Sequence, residues 1–133
     1  MSEEKKKKVL IVEDDLAITD VYKIVMEKSR LDVTFVSLGQ EAIKIIKEVA
    51  LGQELPPDVI LLDLILPDMN GMDILKEIRG NEKTKGMKVF IFSNNKEQDI
   101  QSQNPTDIKP DKFIMKSGIA PTELVELLEK ELY

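Results

Sequence analysis

The chain contains no cysteine and no histidine. Without thiols it forms no disulfide and offers no thiolate nucleophile or thiolate metal site. Without imidazole, Ser-His and Cys-His catalysis and every histidine-ligated metal are excluded as well. A bound metal has to be held by oxygen, which favours Mg²⁺, Mn²⁺ or Ca²⁺. Long apolar runs are also missing, and none approaches the roughly 20 residues that span a bilayer. The start carries acidic residues and then lysines at 5–8, where a secretory signal needs its apolar segment. A cytoplasmic protein with no membrane partner is therefore expected. The formal charge of −6 argues against a grip on phosphate backbone, so no direct nucleic-acid contact is expected either.

What remains suits one globular domain: 133 residues, 42% hydrophobic and 33% charged. Residues 1–8 read as a flexible basic lead-in. The most informative stretch is 58–71. Its apolar run at 59–62 is too short for a helix, stops at Asp63, and is followed by Pro67 and by Asn70-Gly71 turn signals. It reads as a buried strand that delivers a carboxylate to the end of a sheet. Such a charge is costly unless something uses or compensates it.

The same grammar recurs along the chain. Residues 9–12 are apolar and end in Glu13-Asp14-Asp15; a helix over 16–29 follows, with Asp15 as N-cap and Ile18, Val21, Tyr22 and Val25 at helical spacing. Residues 32–37 alternate as an edge strand should. A helix over 39–51 turns Ala42, Ile43, Ile46 and Ala50 inward. A third helix carries Ile74, Leu75 and Ile78 and closes at Gly80. A fourth strand, 89–92, ends at Ser93; a fifth, 113–115, ends at Lys116; and a last helix runs over 121–132 with Pro121 in its first turn. The segment between Asn95 and Asp111 interrupts this rhythm, because it is polar and holds Pro105 and Pro110, and only a short exposed helix is expected there.

Strands alternating with helices imply right-handed crossovers and an α/β, flavodoxin-like, doubly wound parallel sheet of five strands. The expected order is 2-1-3-4-5 with helices on both faces, the second strand at an edge and the other four buried on both faces. Sites in such sheets form beyond the carboxyl ends of the strands where the order reverses, so Asp14 and Asp63 should face each other. Converging carboxylates suit Mg²⁺, which takes few protein ligands and keeps open positions, with Mn²⁺ as the alternative occupant. Lys116 and Ser93 would add a cation and a donor for phosphate oxygens. The chemistry this suits is attack by Asp63 on a phosphoryl donor to give an aspartyl phosphate, which needs positioning and charge neutralisation rather than an imidazole.

Val9-Leu10-Ile11-Val12-Glu13-Asp14-Asp15, the Asp63 to Pro67-Asp68-Met69-Asn70-Gly71 stretch, Phe92-Ser93-Asn94 and Phe113-Ile114-Met115-Lys116 together resemble the receiver domain of two-component response regulators, of the single-domain chemotaxis-regulator kind. The resemblance covers nearly the whole chain. It implies that Asp63 is the phosphoacceptor, that Asp14, Asp63 and the Ile65 backbone carbonyl are Mg²⁺ ligands, and that Glu13 acts through water. It also implies that Ser93 and Phe113 form the switch and that Lys116 pairs with Asp63 or its phosphate. The phosphoryl donor would be a histidine kinase or histidine phosphotransfer protein, and the output partner is unspecified. No turnover enzyme is implied, only a phosphoacceptor that catalyses its own phosphorylation and slow dephosphorylation.

Three departures from the family pattern carry expectations. Ser117 stands where the family commonly has a cis proline, so a trans bond is expected there. The polar 95–111 segment puts the usual dimer in doubt and favours a monomer. Ile65 and Asn95 occupy positions that tune hydrolysis in the family, and an apolar Ile65 cannot orient water, which favours a long-lived phosphoryl group. Two other readings stand beside it: a receiver-like binding module that ignores phosphate, and an Asp-nucleophile phosphohydrolase of the haloacid dehalogenase type. The second needs an acid/base two residues after the nucleophile, where this chain has Ile65.

Overall fold

The computed structural model describes residues 5–94 and 108–133. Five parallel strands form one sheet, β1 (Lys7–Val12), β2 (Leu31–Val36), β3 (Val59–Leu62), β4 (Lys88–Ser93) and β5 (Lys112–Met115), in the order β2-β1-β3-β4-β5. The described helices are α1 (Leu16–Glu27), α2 (Gly39–Ala50), α3 (Gly71–Arg79) and α4 (Pro121–Leu132), and a 3-10 turn covers Lys116–Gly118. The expected strand order is the observed one. Most of the segment expected to break the rhythm, residues 95–107, lies outside the described residues.

Strand alternation divides the core in two. Leu10, Val12, Ile60, Leu62, Val89 and Ile91 point to one face and pack with Ala42 and Ile46 of α2 and Ile74, Leu75 and Ile78 of α3. Val9, Ile11, Val59, Leu61, Phe90 and Phe92 point to the other and meet Tyr22 and Met26 of α1 and Leu124, Val125 and Leu128 of α4. Because both faces are covered, the central strands read as unbroken apolar runs. Each such Leu or Ile contributes about 1.5–3 kcal/mol on burial, so the scaffold under the strand ends is rigid.

Local signals set the helix starts. The Asp15 carboxylate accepts from the Ala17 and Ile18 N–H groups at 3.0 and 3.3 Å, and Asn70 caps α3 by accepting from the Met72 N–H at 2.8 Å.

Some expectations about burial need correction. Val21 is exposed; α1 rests on Thr19, Tyr22 and Met26, a stripe centred about 130° around the helix from Val21. Val49 is buried in α2, while Ile43 and Ala50 are half-buried. Strand β5 is not buried on both faces: it is the second edge, with Lys112 and Phe113 half-buried and Met115 exposed. An order that ends in β5 leaves that strand a neighbour on one side only. The basic lead-in is also shorter than expected, because Lys7 and Lys8 belong to β1, where the Lys8 N–H donates to Asp58 Oδ2 at 2.8 Å.

Candidate functional site

Register decides which strand-end residues meet. Val12 pairs with Leu62, Leu62 with Ile91, and Ile91 with Phe113. Glu13 and Asp63 therefore leave adjacent strands at the same level. Ser93 lies two residues beyond Ile91, opposite Met115, and Lys116 follows directly.

Asp63 is buried, and its N–H donates to the Val12 carbonyl at 3.1 Å. Its carboxylate is held at both oxygens: Oδ2 accepts from Lys116 Nζ at 3.1 Å, and Oδ1 accepts from the Ile65 N–H at 3.3 Å. Glu13, only 2% exposed, forms an ion pair with the same ammonium through Oε1 and accepts from the Asp15 N–H at 3.3 Å through Oε2. Asp14 is exposed on the rim. Carboxylate oxygens of Glu13, Asp14 and Asp63 lie within 4.8 Å of one another.

Two buried carboxylates thus share one cation while a third stands beside them. Burial is the main cause that pushes the Glu13 carboxyl up to about 6; the Asp63 charge adds to it and Lys116 offsets part of it. For Lys116, burial acts to lower the ammonium, but its contacts with Glu13 and Asp63 together outweigh that and hold it above its ordinary value. The ammonium also sits 5.6 Å from the centroid of the Phe92 ring. An all-oxygen cluster with one cation for three acids is a donor set that suits a hard divalent ion, so the residues fit Mg²⁺ or Mn²⁺.

The neighbouring positions complete the rim. Ser93 is buried at the end of β4. Phe113 is half-buried against the core on the α2 and α3 side, at mid-strand rather than at the rim. Ile65 is 67% exposed and pairs with Asn70 in a short antiparallel bridge. The Lys116-Ser117 bond is trans, there being no cis peptide among the described residues. Asn95 lies outside the described residues.

Three further residues, present in the quoted motifs but given no role there, shape this rim. Gly71 lets α3 start against the acceptor strand: a Cβ there would lie 2.2 Å from the Asp63 carbonyl oxygen and 2.9 Å from Leu64 Cα. The Asn94 side chain accepts from the Ser117 N–H at 3.0 Å and ties the loop after β4 to the turn after β5. Asp68 binds the first turn of α2. The Asn70-Gly71 pair was visible as a turn signal, but the approach of α3 to the Asp63 carbonyl is a tertiary fact.

The chain matches the response regulator receiver domain family over residues 9–129. Among curated relatives, the DNA-binding dual master transcriptional regulator RpaA of Synechocystis sp. is 36% identical over 86 residues, 65% of this chain and 33% of that protein. The DNA-binding response regulator MtrA of Mycolicibacterium paratuberculosis is 28% identical over 127 residues, 96% of this chain and 52% of that protein. The chain thus spans about a third to a half of these relatives. Among solved structures, a CheY-like response regulator receiver domain protein from Methanospirillum hungatei JF-1 is 29% identical with a TM-score of 0.75, over 96% of this chain and 94% of that one. The phosphorylated cyanobacterial phytochrome response regulator RcpA gives 26% and 0.76 over 95% and 91%, and the Mn²⁺-bound response regulator Rcp1 gives 25% and 0.75 over 93% and 92%.

These relatives overturn one expectation. The acidic balance argues against direct nucleic-acid contact, yet the curated relatives are DNA-binding regulators. A charge count over one domain says nothing of the surfaces that the rest of such proteins contribute. Among the described residues no helix is long and apolar enough to cross a membrane. Sequence match, strand order and the acidic rim converge: the chain belongs to the response regulator receiver domain family, the phosphoacceptor modules of two-component signalling.

Proposed function

We propose that Asp63 is the residue that accepts the phosphoryl group and that Lys116, Ser93 and the acidic pair Glu13 and Asp14 serve that transfer. The observation that carries this reading is the two-point hold on the Asp63 carboxylate, by Lys116 at one oxygen and the Ile65 amide at the other. That hold fixes the side chain for attack without an activating base, which suits a nucleophile that is already ionised.

In the reaction, an Asp63 oxygen forms a bond to phosphorus as the bond from phosphorus to the donor's imidazole nitrogen breaks. The electron pair leaves with the imidazole, which takes a proton from water. Lys116, already charged and above its ordinary pKa, then follows the negative charge onto the transferred oxygens. Ser93 would donate its hydroxyl to another phosphoryl oxygen, and Phe113 would respond to the inward movement of Ser93. Asp14, Asp63 and the Ile65 carbonyl would hold Mg²⁺, or Mn²⁺ in its place, with Glu13 reaching it through water. When bound, the ion neutralises charge on the phosphoryl oxygens.

Receiver domains are generally not turnover enzymes, and the finer reading here is one phosphoryl group accepted and slowly lost. Ile65 argues against phosphohydrolase turnover, because no acid/base stands two residues after Asp63. The test is incubation with acetyl phosphate or phosphoramidate and Mg²⁺, read by intact mass. A gain of one phosphoryl group that is absent in Asp63→Asn is expected. No gain in the wild-type chain overturns the reading and favours a receiver-like binding module.

A further inference from the structure

The loop between β3 and α3 carries Ile65 and is gripped at both ends. At its base the Ile65 to Asn70 bridge and the Gly71 N–H, which donates to the Leu64 carbonyl at 2.8 Å, close it. At its tip Asp68 reaches across to α2: Oδ1 accepts from the Gly39 N–H at 2.8 Å and Oδ2 from the Gln40 N–H at 2.9 Å. These are the first two amides of α2, which have no partner within the helix. Leu38, the residue before them, has no side chain able to cap, so a carboxylate 28 or 29 residues away supplies what a local Ser or Asp usually would. The Gln40 amide chiefly, with Gly39 beside it, holds the Asp68 carboxyl below the usual range, as expected at the positive end of a helix.

A second contact reinforces the first. Met69 lies over Gly39 so closely that a Cβ there would come within 2.3 Å of its Cγ and 2.6 Å of its Sδ. Helix α2 is itself fixed to the sheet by Ala42, Ile46 and Val49. The loop tip is therefore referenced to a rigid body, and the same short loop presents the amide that orients Asp63 Oδ1.

We propose that Asp68 is a positioning residue for the acceptor site, fixing the height and tilt of the loop that carries Ile65 by clasping the first two amides of α2. The proposal rests on the reading of the Glu13, Asp14 and Asp63 cluster as a divalent-ion site. It assigns no direct contact between Asp68 and the ion. Loss of the clasp loosens the loop, and the ion site is degraded through Ile65 and Asp63.

The experiment measures Mg²⁺ affinity by titration calorimetry for the wild-type chain, Asp68→Ala and Asp68→Asn, with amide exchange at Gly39 and Gln40 and the melting temperature in EDTA. Ile46→Val, a packing change in the same helix, serves as the stability control. Asp68→Ala is expected to expose both amides and weaken Mg²⁺ about three- to tenfold, less than the 10- to 100-fold typical of groups that touch a metal's own ligands. Asp68→Asn, which keeps one acceptor oxygen, should recover part of the loss, and Ile46→Val should lower melting without altering Mg²⁺ affinity. Exposed amides with unchanged Mg²⁺ affinity, or an equal loss in Ile46→Val, would overturn the clasp. Absence of Mg²⁺ binding in the wild-type chain would overturn the ion-site reading itself, and the proposal with it.

Discussion

Removing the charge on Asp63 should stabilise the metal-free protein. Oxygens of Glu13 and Asp14 lie within 4.8 Å of an Asp63 oxygen, so at an effective dielectric of ~20 each carboxylate repels it by at least about 3 kcal/mol, or about 7 together. Lys116 at 3.1 Å returns about 5 kcal/mol on the same scale, leaving a net repulsion of about 2 kcal/mol. Asp63→Asn abolishes the repulsion while its amide oxygen still accepts from Lys116. In EDTA the variant should melt about 6–8 °C higher, given about 3–4 °C per kcal/mol for a domain of this size. Mg²⁺ should reverse the ranking, since an ion present at a hundred times its dissociation constant adds about 2.7 kcal/mol to a chain that binds it. The assay is thermal unfolding of both proteins in EDTA and over a Mg²⁺ series. An Asp63→Asn protein that melts at or below the wild-type temperature in EDTA, or equal Mg²⁺ shifts in the two chains, would refute the argument.

The Glu13 carboxyl, at about 6 against an ordinary 4.5, takes up its proton in the folded protein before the unfolded chain does. Without metal it should add on the order of 2 kcal/mol as pH falls from 7 through 6 towards 4.5, and that stability is lost again as pH rises through 6. Glu13→Gln should flatten this window in melting-versus-pH curves, which no histidine obscures; parallel curves for the two proteins would count against it. Gly71→Ala should cost about 2–3 kcal/mol through overpacking against the Asp63 backbone and impair phosphoryl uptake, and a melting temperature within 2 °C of wild type, on the ~3 °C per kcal/mol scale, would show the backbone yields more easily than supposed. Ile65 presents no group to orient water, so the phosphorylated protein should be long-lived and Ile65→Gln should shorten its life; a wild-type half-life of seconds, read by intact mass after removal of the donor, would contradict this.

Much of the architecture was legible because both-face burial leaves a plain mark in sequence. Apolar runs at 9–12, 59–62 and 89–92 each stop at a polar residue, and their alternation with helical spacing and an alternating second strand fits a doubly wound sheet in the order observed. Asp63 was legible for the same reason, since an ionisable group at the end of a buried strand is costly without a task, whereas Asp14 and Lys116 stood out through their place in a set of polar strand ends. Val21 was misread because periodicity gives the spacing of a helical stripe but not its phase relative to the sheet. β5 was misread because a short apolar run looks alike in the centre and at an edge.

The remainder depended on tertiary structure. Register, to which every strand contributes, set Glu13 level with Asp63 and made two buried acids share one ammonium. The pinning of the acceptor loop to α2 by Asp68 joins residues 28 and 29 apart, a pairing no local pattern encodes. The amino-acid order marked which strand ends carry acids, a hydroxyl or an amine. Their distances, and with them their charges and mutual restraint, were decided only when separate strands were brought side by side, because electrostatic and hydrogen-bond energies depend on separation in space rather than along the chain.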